Sequence, residues 1–196
     1  MAITVAPDDD PDAEDDEVLM LRVAAGDHPA FRALAKRHFH RTLALAERMM
    51  GRRADAEEIA QETFLRIWRH AGRWRPSLGK LETWLYRVTV NLCLDRLRRP
   101  KDLHLDVVEE AEDPTVDTER QVAAQEVSRR VAAAVAELPG RQRAALVLCY
   151  HQELTNAQAA EILAISVWAL EALLVRARRT LRVKLKTLGE DLGEAR

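Results

Sequence analysis

The segment Leu154 to Arg182, LTNAQAAEILAISVWALEALLVRARRTLR, constrains the fold of this 196-residue chain more than any other. It reads as a capped helix, a short turn and a second capped helix. Thr155 and Ser166 stand where N-caps belong, since a hydroxyl can accept from the unpaired N–H groups of a first helical turn. Ala159, Ala160 and Ile162 in the first helix are spaced to pack against Val167, Leu170 and Leu174 in the second. The turn Ala164-Ile165-Ser166 is short enough for a sharp crossing. This is the helix-turn-helix pattern, whose second helix enters the DNA major groove by its N-terminal turns. At about 100° per residue, Val167, Leu170, Leu174, Ala177, Leu181 and Leu185 fall inside. Trp168, Ala169, Ala172, Arg176 and Arg179 fall opposite, flanked by Arg178 and Arg182. Arginines on that face suit phosphate and guanine contacts. The competing reading is an ordinary helical hairpin with a solvated basic face.

The rest of the chain keeps the helical period, with no repeats and no alternating strand pattern, so the fold class is all-α. A short helix is expected around Val18 to Ala25. Asp27 followed by Pro29 marks the next start, with Leu34, Ala35, Phe39, Leu45, Ala46 and Met49 on one face and Gly51 as the stop. A third helix is expected from Asp55 as N-cap, its apolar face Ala56, Ile59, Ala60, Thr63, Phe64 and Ile67. The turn Pro76-Ser77-Leu78-Gly79 precedes a fourth helix, Leu81 to Arg99, which Pro100 ends. A helix from near Glu119, with Val131, Val135 and Leu138 in phase, breaks at Pro139-Gly140. Another spans 141–150, and the last runs from Ser166 to about Leu188.

Charge divides the chain as the helices do. Residues 1–17 hold 8 acidic and no basic residues, and 18–100 hold 17 basic and 8 acidic. Residues 101–119 hold 8 acidic and 1 basic, and 120–196 hold 12 basic and 8 acidic. Residues 1–16 read as a disordered acidic tail. Residues 101–118, KDLHLDVVEEAEDPTVDT, read as a flexible acidic linker with Leu103, Leu105, Val107 and Val108 as apolar anchors. Two small basic helical domains with acidic tethers fit a polyanion-binding protein. The expected division is 17–100, then the linker 101–118, then 119–188, with 189–196 as a C-terminal tail.

No run approaches the roughly 18 apolar residues of a membrane span, and no secretion signal opens the chain. Neither membrane insertion nor a small-molecule substrate is expected, and the compartment is read as the cytoplasm. Cys93 and Cys149 form neither a disulfide scaffold nor a zinc site. His38 and His40 point about 200° apart on a helix and cannot share a metal; His38 reads as a satisfied core histidine. No catalytic constellation, cofactor site or metal site is expected.

Two further faces stand out. Opposite the apolar face of the third helix lie Glu58, Gln61, Glu62, Leu65, Trp68 and Arg69. Large apolar groups rimmed by charge suggest a protein-binding surface, unless another helix covers them. The fourth helix is apolar on two sides: Leu81, Leu85, Val88 and Leu92, then Tyr86, Val90, Cys93 and Leu97. Between them run Thr83, Arg87, Asn91 and Arg98. The loop before it carries Arg73, Arg75, Lys80 and Trp74, and basic groups beside aromatics suit single-stranded nucleic acid. The alternative is a solvated basic edge with Trp74 and Trp84 in the core, and for Trp84 the core is favoured.

On these residues the chain resembles bacterial sigma factors of the small, extracytoplasmic-function type. DAEEIAQETFLRIWRH (55–70) is similar to the segment that binds the clamp helices of RNA polymerase. PSLGKLETWLYRVTVNLCLDRLRR (76–99) is similar to the segment that melts and reads the minus-ten element. LPGRQRAALVLCYHQELTNAQAAEILAIS (138–166) and the helix after it resemble the domain that reads the minus-35 element. The resemblance implies a transcription initiation factor of two helical domains, like sigma regions 2 and 4, with core polymerase (clamp helices and flap), promoter DNA and an anti-sigma factor as partners. It implies clamp contacts by Glu58, Gln61, Glu62, Leu65 and Trp68. Minus-ten contacts fall to Arg73, Arg75, Lys80, Arg87, Asn91, Arg96, Arg98 and Arg99, and minus-35 contacts to Thr155, Ser166, Trp168, Ala169, Ala172, Arg176 and Arg179. A stand-alone helix-turn-helix regulator is the alternative, and a pure protein-interaction module a third reading.

The chain also departs from that family. Its recognition helix reads VWALEALLVRA where such factors often read VGTVKSRLHRA, so hydrogen-bond donors are lost from the first two turns. Base reading there is expected to rest on apolar contacts with thymine methyls or on DNA shape, with Arg176 and Arg179 on phosphates. The two-tryptophan melting motif is reduced to Trp84-Leu85.

Overall fold

The computed structural model describes residues 14–75, 79–99 and 119–193, the last stretch with side chains from 127 to 186. Among these, the helices are α1 (Asp16–Ala24), α2 (His28–Met50), α3 (Arg53–His70), α4 (Leu81–Arg98), α5 (Glu119–Ala136), α6 (Gly140–Tyr150), α7 (Asn156–Ile162) and α8 (Val167–Gly193), with a 3-10 turn at Ala71–Arg73. No strand occurs among the described residues. The tail over 1–13, the turn residues 76–78, Pro100 and the linker 101–118 lie outside them.

Local chemistry fixes most boundaries. The Asp27 carboxylate accepts from the Ala30 N–H at 3.1 Å, and Pro29 occupies the first turn, where its missing N–H costs nothing. Gly51, at φ 72°, ends α2 in the left-handed conformation. Asp55 is not the N-cap of α3; Arg52 takes that position without a side-chain cap. Asp55 sits one turn in and binds Arg96, at 2.7 Å. The end of the acidic tail is not free: Asp16 Oδ2 meets His38 Nε2 at 2.7 Å, and Glu14 Oε1 accepts from Arg22 at 2.7 Å. His38 is thus the buried, satisfied histidine expected. At the other end α8 continues as helix to Gly193, five residues past Leu188, into the stretch expected to be a tail.

Two hydrophobic clusters organise the chain. One joins α1, the start of α2, the end of α3 and the start of α4 through Leu19, Met20, Leu34, Phe64, Ile67, Trp74 and Leu85. The other crosses between the two helical units: Leu45, Met49, Tyr86, Val90, Cys93 and Leu94 pack with Val147, Leu148, Ile162, Leu163, Leu170 and Leu174. Gly140 makes the close approach possible, since a Cβ there would stand 3.1 Å from Leu94 Cδ2 and 3.4 Å from Leu97 Cδ1. The Tyr86 hydroxyl spans the same seam, 2.9 Å from Gln152 Oε1.

Arg143 is the buried charge of this seam, 5% exposed. Its guanidinium donates to the carbonyls of Met49 and Ala136, and to that of Leu138 at 3.3 Å. Met49 and Ala136 lie at the last turns of α2 and α5, where carbonyls lack intrahelical partners and carry the negative end of the helix dipole. These bonds offset part of the cost of burying the cation, and desolvation still lowers the Arg143 pKa.

Candidate nucleic-acid interface

α3 buries Ala56, Ile59, Ala60, Thr63, Phe64 and Ile67, as its period requires, and turns Glu58, Gln61 and Leu65 to solvent. Leu65 is 47% exposed. Trp68 is only half-exposed, because its ring stacks on His28 at 4.7 Å and meets Phe31 edge-on at 5.2 Å. Glu62 accepts from Arg66 at 2.8 Å, and Glu58 accepts from Arg96 at 3.1 Å.

The residues expected to meet single-stranded DNA divide. Arg73, Arg75, Lys80, Asn91, Arg98 and Arg99 are exposed. Arg75 donates to the carbonyls of Gly72 and Trp74 at 2.7 and 2.8 Å, which holds the loop rather than a ligand. Trp74 is 6% exposed and belongs to the first cluster, so it offers no platform for a base. Trp84 is the half-exposed one and lines a cleft with Arg73, Thr83, Arg87 and Glu161. Trp74 therefore takes the core place of the alternative reading, and Trp84, favoured for the core, packs against the same cluster but stays half-exposed. Arg87 spans from α4 to the helix-turn-helix, donating to the Glu161 carbonyl at 3.0 Å and lying 3.4 Å from its carboxylate. Arg96 falls half a turn from Arg87 on the helix wheel and is committed to Asp55 and Glu58 on α3.

The helix-turn-helix is built as its caps dictate. Thr155 and Gln158 form a reciprocal capping box at the start of α7. Ser166 Oγ accepts from the Ala169 N–H at 3.1 Å at the start of α8. The two helices meet at 98°, with Ala164 in the left-handed region at φ 51° between them. Leu170, Leu174 and Ala177 are buried as expected, and Leu181 and Leu185 half-buried. Val167 is 41% exposed, because it opens the helix where α7, only seven residues long, gives it no cover. Trp168, Arg176 and Arg179 face solvent, and Ala169 and Ala172 are half-exposed. Glu171 and Val175 share that outer face and were missed; the wheel that placed Trp168 outside also places Val175 there, seven residues on.

Burial pushes the Cys93 thiol up to about 12, so it stays protonated and inert. No group of three His, Cys, Asp or Glu side chains among the described residues could hold a metal ion. No single described helix is long and apolar enough to cross a membrane.

A helical bundle followed by a helix-turn-helix unit with arginines exposed on its second helix is an architecture of DNA-binding proteins. Family models match in chain order: Sigma-70 region 2 over residues 34–102 and Sigma-70, region 4 over residues 128–181. The ECF RNA polymerase sigma factor SigE of Mycolicibacterium smegmatis is 32% identical over 190 residues, 91% of this chain and 69% of the relative. SigW of Bacillus subtilis is 33% identical over 178 residues, covering 85% of this chain and 95% of the relative. Among solved structures, CnrH in complex with the cytosolic domain of CnrY aligns with TM-score 0.63 and 28% identity, covering 88% of this chain and 97% of that one. RpoE of Bartonella quintana, solved with the anti-sigma factor NepR, shares the fold at TM-score 0.59 and 18% identity, covering 80% of this chain and 96% of that one. The chain belongs to the extracytoplasmic-function group of the sigma-70 family, whose members are transcription initiation factors.

Proposed function

We propose that this chain binds core RNA polymerase through the outer face of α3, directs it to promoters and helps open the minus-ten region, in the cytoplasm and with no chemistry of its own. Leu65 carries the reading: a large apolar side chain, 47% exposed, on a helix whose other face is wholly buried and which lies within the matched region 2. Glu58, Gln61, Glu62 and Trp68 surround it and complete the polymerase contact. Residues 17–100 serve core binding and minus-ten recognition, with Arg73, Lys80, Arg87, Asn91, Arg98 and Arg99 facing DNA and Arg75 holding the loop that carries Arg73. Arg96, tied to Asp55 and Glu58, acts by joining the DNA-facing helix to the polymerase face. Residues 101–118 link this unit to 119–188, whose helix-turn-helix reads the minus-35 element. Thr155 and Ser166 start its helices, and Trp168, Ala169, Ala172, Arg176 and Arg179 face the duplex. An anti-sigma factor is the expected regulator: RpoE of Bartonella quintana, which shares the fold, was solved with the anti-sigma factor NepR.

The test is run-off transcription with purified core polymerase, with and without this protein, on the fragment upstream of its own gene, together with core co-elution. A defined transcript that vanishes with Gln61→Ala/Glu62→Lys supports the proposal. Tight duplex binding with neither core binding nor transcript overturns it in favour of a stand-alone regulator.

A further inference from the structure

The outer face of α8 carries side chains that the major groove of DNA does not usually meet. Trp168, Glu171, Ala172 and Val175 recur at i, i+3, i+4 and i+7, so they share one face, and with Arg176 they line a shallow depression. Trp168 is 79% exposed and Val175 61%. The face cannot turn inward, because Leu170, Leu174 and Ala177 on the other side are buried, and Ser166 fixes the first turn. Glu171 stands beside Asn156 of α7, with Nδ2 3.5 Å from its carboxylate. Beyond the patch the same helix is basic, with Arg176, Arg179 and Arg182 exposed. That surround suits a phosphate backbone.

Each base pair offers its own groups in the major groove. Guanine presents two acceptors, which arginine or lysine reads; thymine presents a methyl group; cytosine presents an amino donor. Before Arg176 this face holds a single donor, the indole N–H of Trp168, and the Glu171 carboxylate has no proton to give to guanine O6 or N7. Apolar groups there match methyls, and the carboxylate matches an amino group.

We propose that α8 reads its promoter element through thymine methyl groups, at Trp168, Ala172 and Val175, and through one cytosine amino group, at Glu171. The inference rests on α8 being the minus-35-reading helix and names the bases it selects. Removing one contacted methyl removes about one buried carbon from the interface, which corresponds to about fourfold in affinity.

The experiment uses the full-length protein bound to core polymerase. Core co-elution is measured first. Duplexes randomised over the upstream element are then selected, and the enriched duplex is resynthesised with deoxyuridine in place of one selected thymidine. Enrichment of thymine with a neighbouring cytosine, about fourfold weaker binding of the deoxyuridine duplex, and a smaller difference with Val175→Ala are expected. Glu171→Arg is expected to replace the selected cytosine by guanine. Equal binding of thymidine and deoxyuridine duplexes, no enrichment, or guanine selected by the unaltered protein overturns the proposal and leaves the apolar face to a protein partner. Failure to co-elute with core defeats the sigma reading itself, and the base assignment falls with it.

Discussion

The outer stripe of α4 carries Arg87, Asn91 and Arg98, and the outer face of α8 carries Trp168, Ala172 and Val175. Both are DNA-facing helices in the proposed function, yet their surroundings differ. On α4 the charge already has partners inside the chain: Arg87 holds Glu161 of α7, and Arg98 lies 3.4 Å from Asp95. On α8 the apolar groups have no protein cover. Charge can be held in reserve by exposed ion pairs worth about 1 kcal/mol or less, which a polyanion displaces cheaply. An exposed tryptophan has no such temporary partner and stays open to whatever covers it. The basic helix therefore waits in a bound state, and the apolar one in an open state.

The seam that closes α7 over α4 can be broken at several strengths. Arg143→Met has the largest expected effect. It strips a buried cation from three carbonyls and costs on the order of 3 kcal/mol, read as a lower urea midpoint, with the two units separating by small-angle scattering. Thr155→Ala removes the capping box of α7 and is expected to cost about 1 kcal/mol, again by urea unfolding, while leaving the packing of α1 to α4 intact. Ala164→Gly relieves the left-handed backbone between α7 and α8 and is expected to stabilise by about 0.5 kcal/mol, read as a small rise in the same midpoint. Glu161→Ala has the smallest effect on stability, within about 0.5 kcal/mol, since both partners are half-exposed. It sharpens the comparison most, because Arg87, freed of the carboxylate and held only by the Glu161 carbonyl, is expected to steepen the salt dependence of DNA binding by up to about one phosphate. The same measurement on Val175→Ala is expected to leave the slope unchanged.

What the sequence disclosed follows the range of the interactions involved. The caps at Asp27, Thr155 and Ser166 act over three residues, and each appears where the sequence placed it. The buried face of α3 follows from its period alone. Asp55 was misplaced because a carboxylate at a helix start can be claimed by a distant cation, here Arg96, 41 residues on. The place of Trp74 has the same origin: neighbours in sequence could not decide whether it turns into the cluster of α1 and α2. The contacts of Arg143 with Met49, of Tyr86 with Gln152 and of Gly140 with Leu94 gave no local signal, since those partners belong to the other half of the chain. The linker length suggested two independent units, and only tertiary packing reveals their shared core.

The hydrogen bond from Arg143 to Met49 joins residues 94 apart in sequence. Most other contacts in this protein lie within a helix or between neighbours. Closing a loop that long costs more conformational entropy than closing a helical hairpin, and chains fold more slowly as such distant contacts weigh more. Helices and the cluster of α1 to α4 are expected to form first, with docking of the halves as the late step. A nascent chain that has left the ribosome only through α4 lacks the α6 to α8 side of that seam. Until α6 and α7 emerge, Leu94, Val90 and Cys93 have only the α2 and α3 part of their cluster, Leu45, Met49, Ala56 and Ile59, and the order of synthesis itself leaves Arg87 without Glu161 for a time.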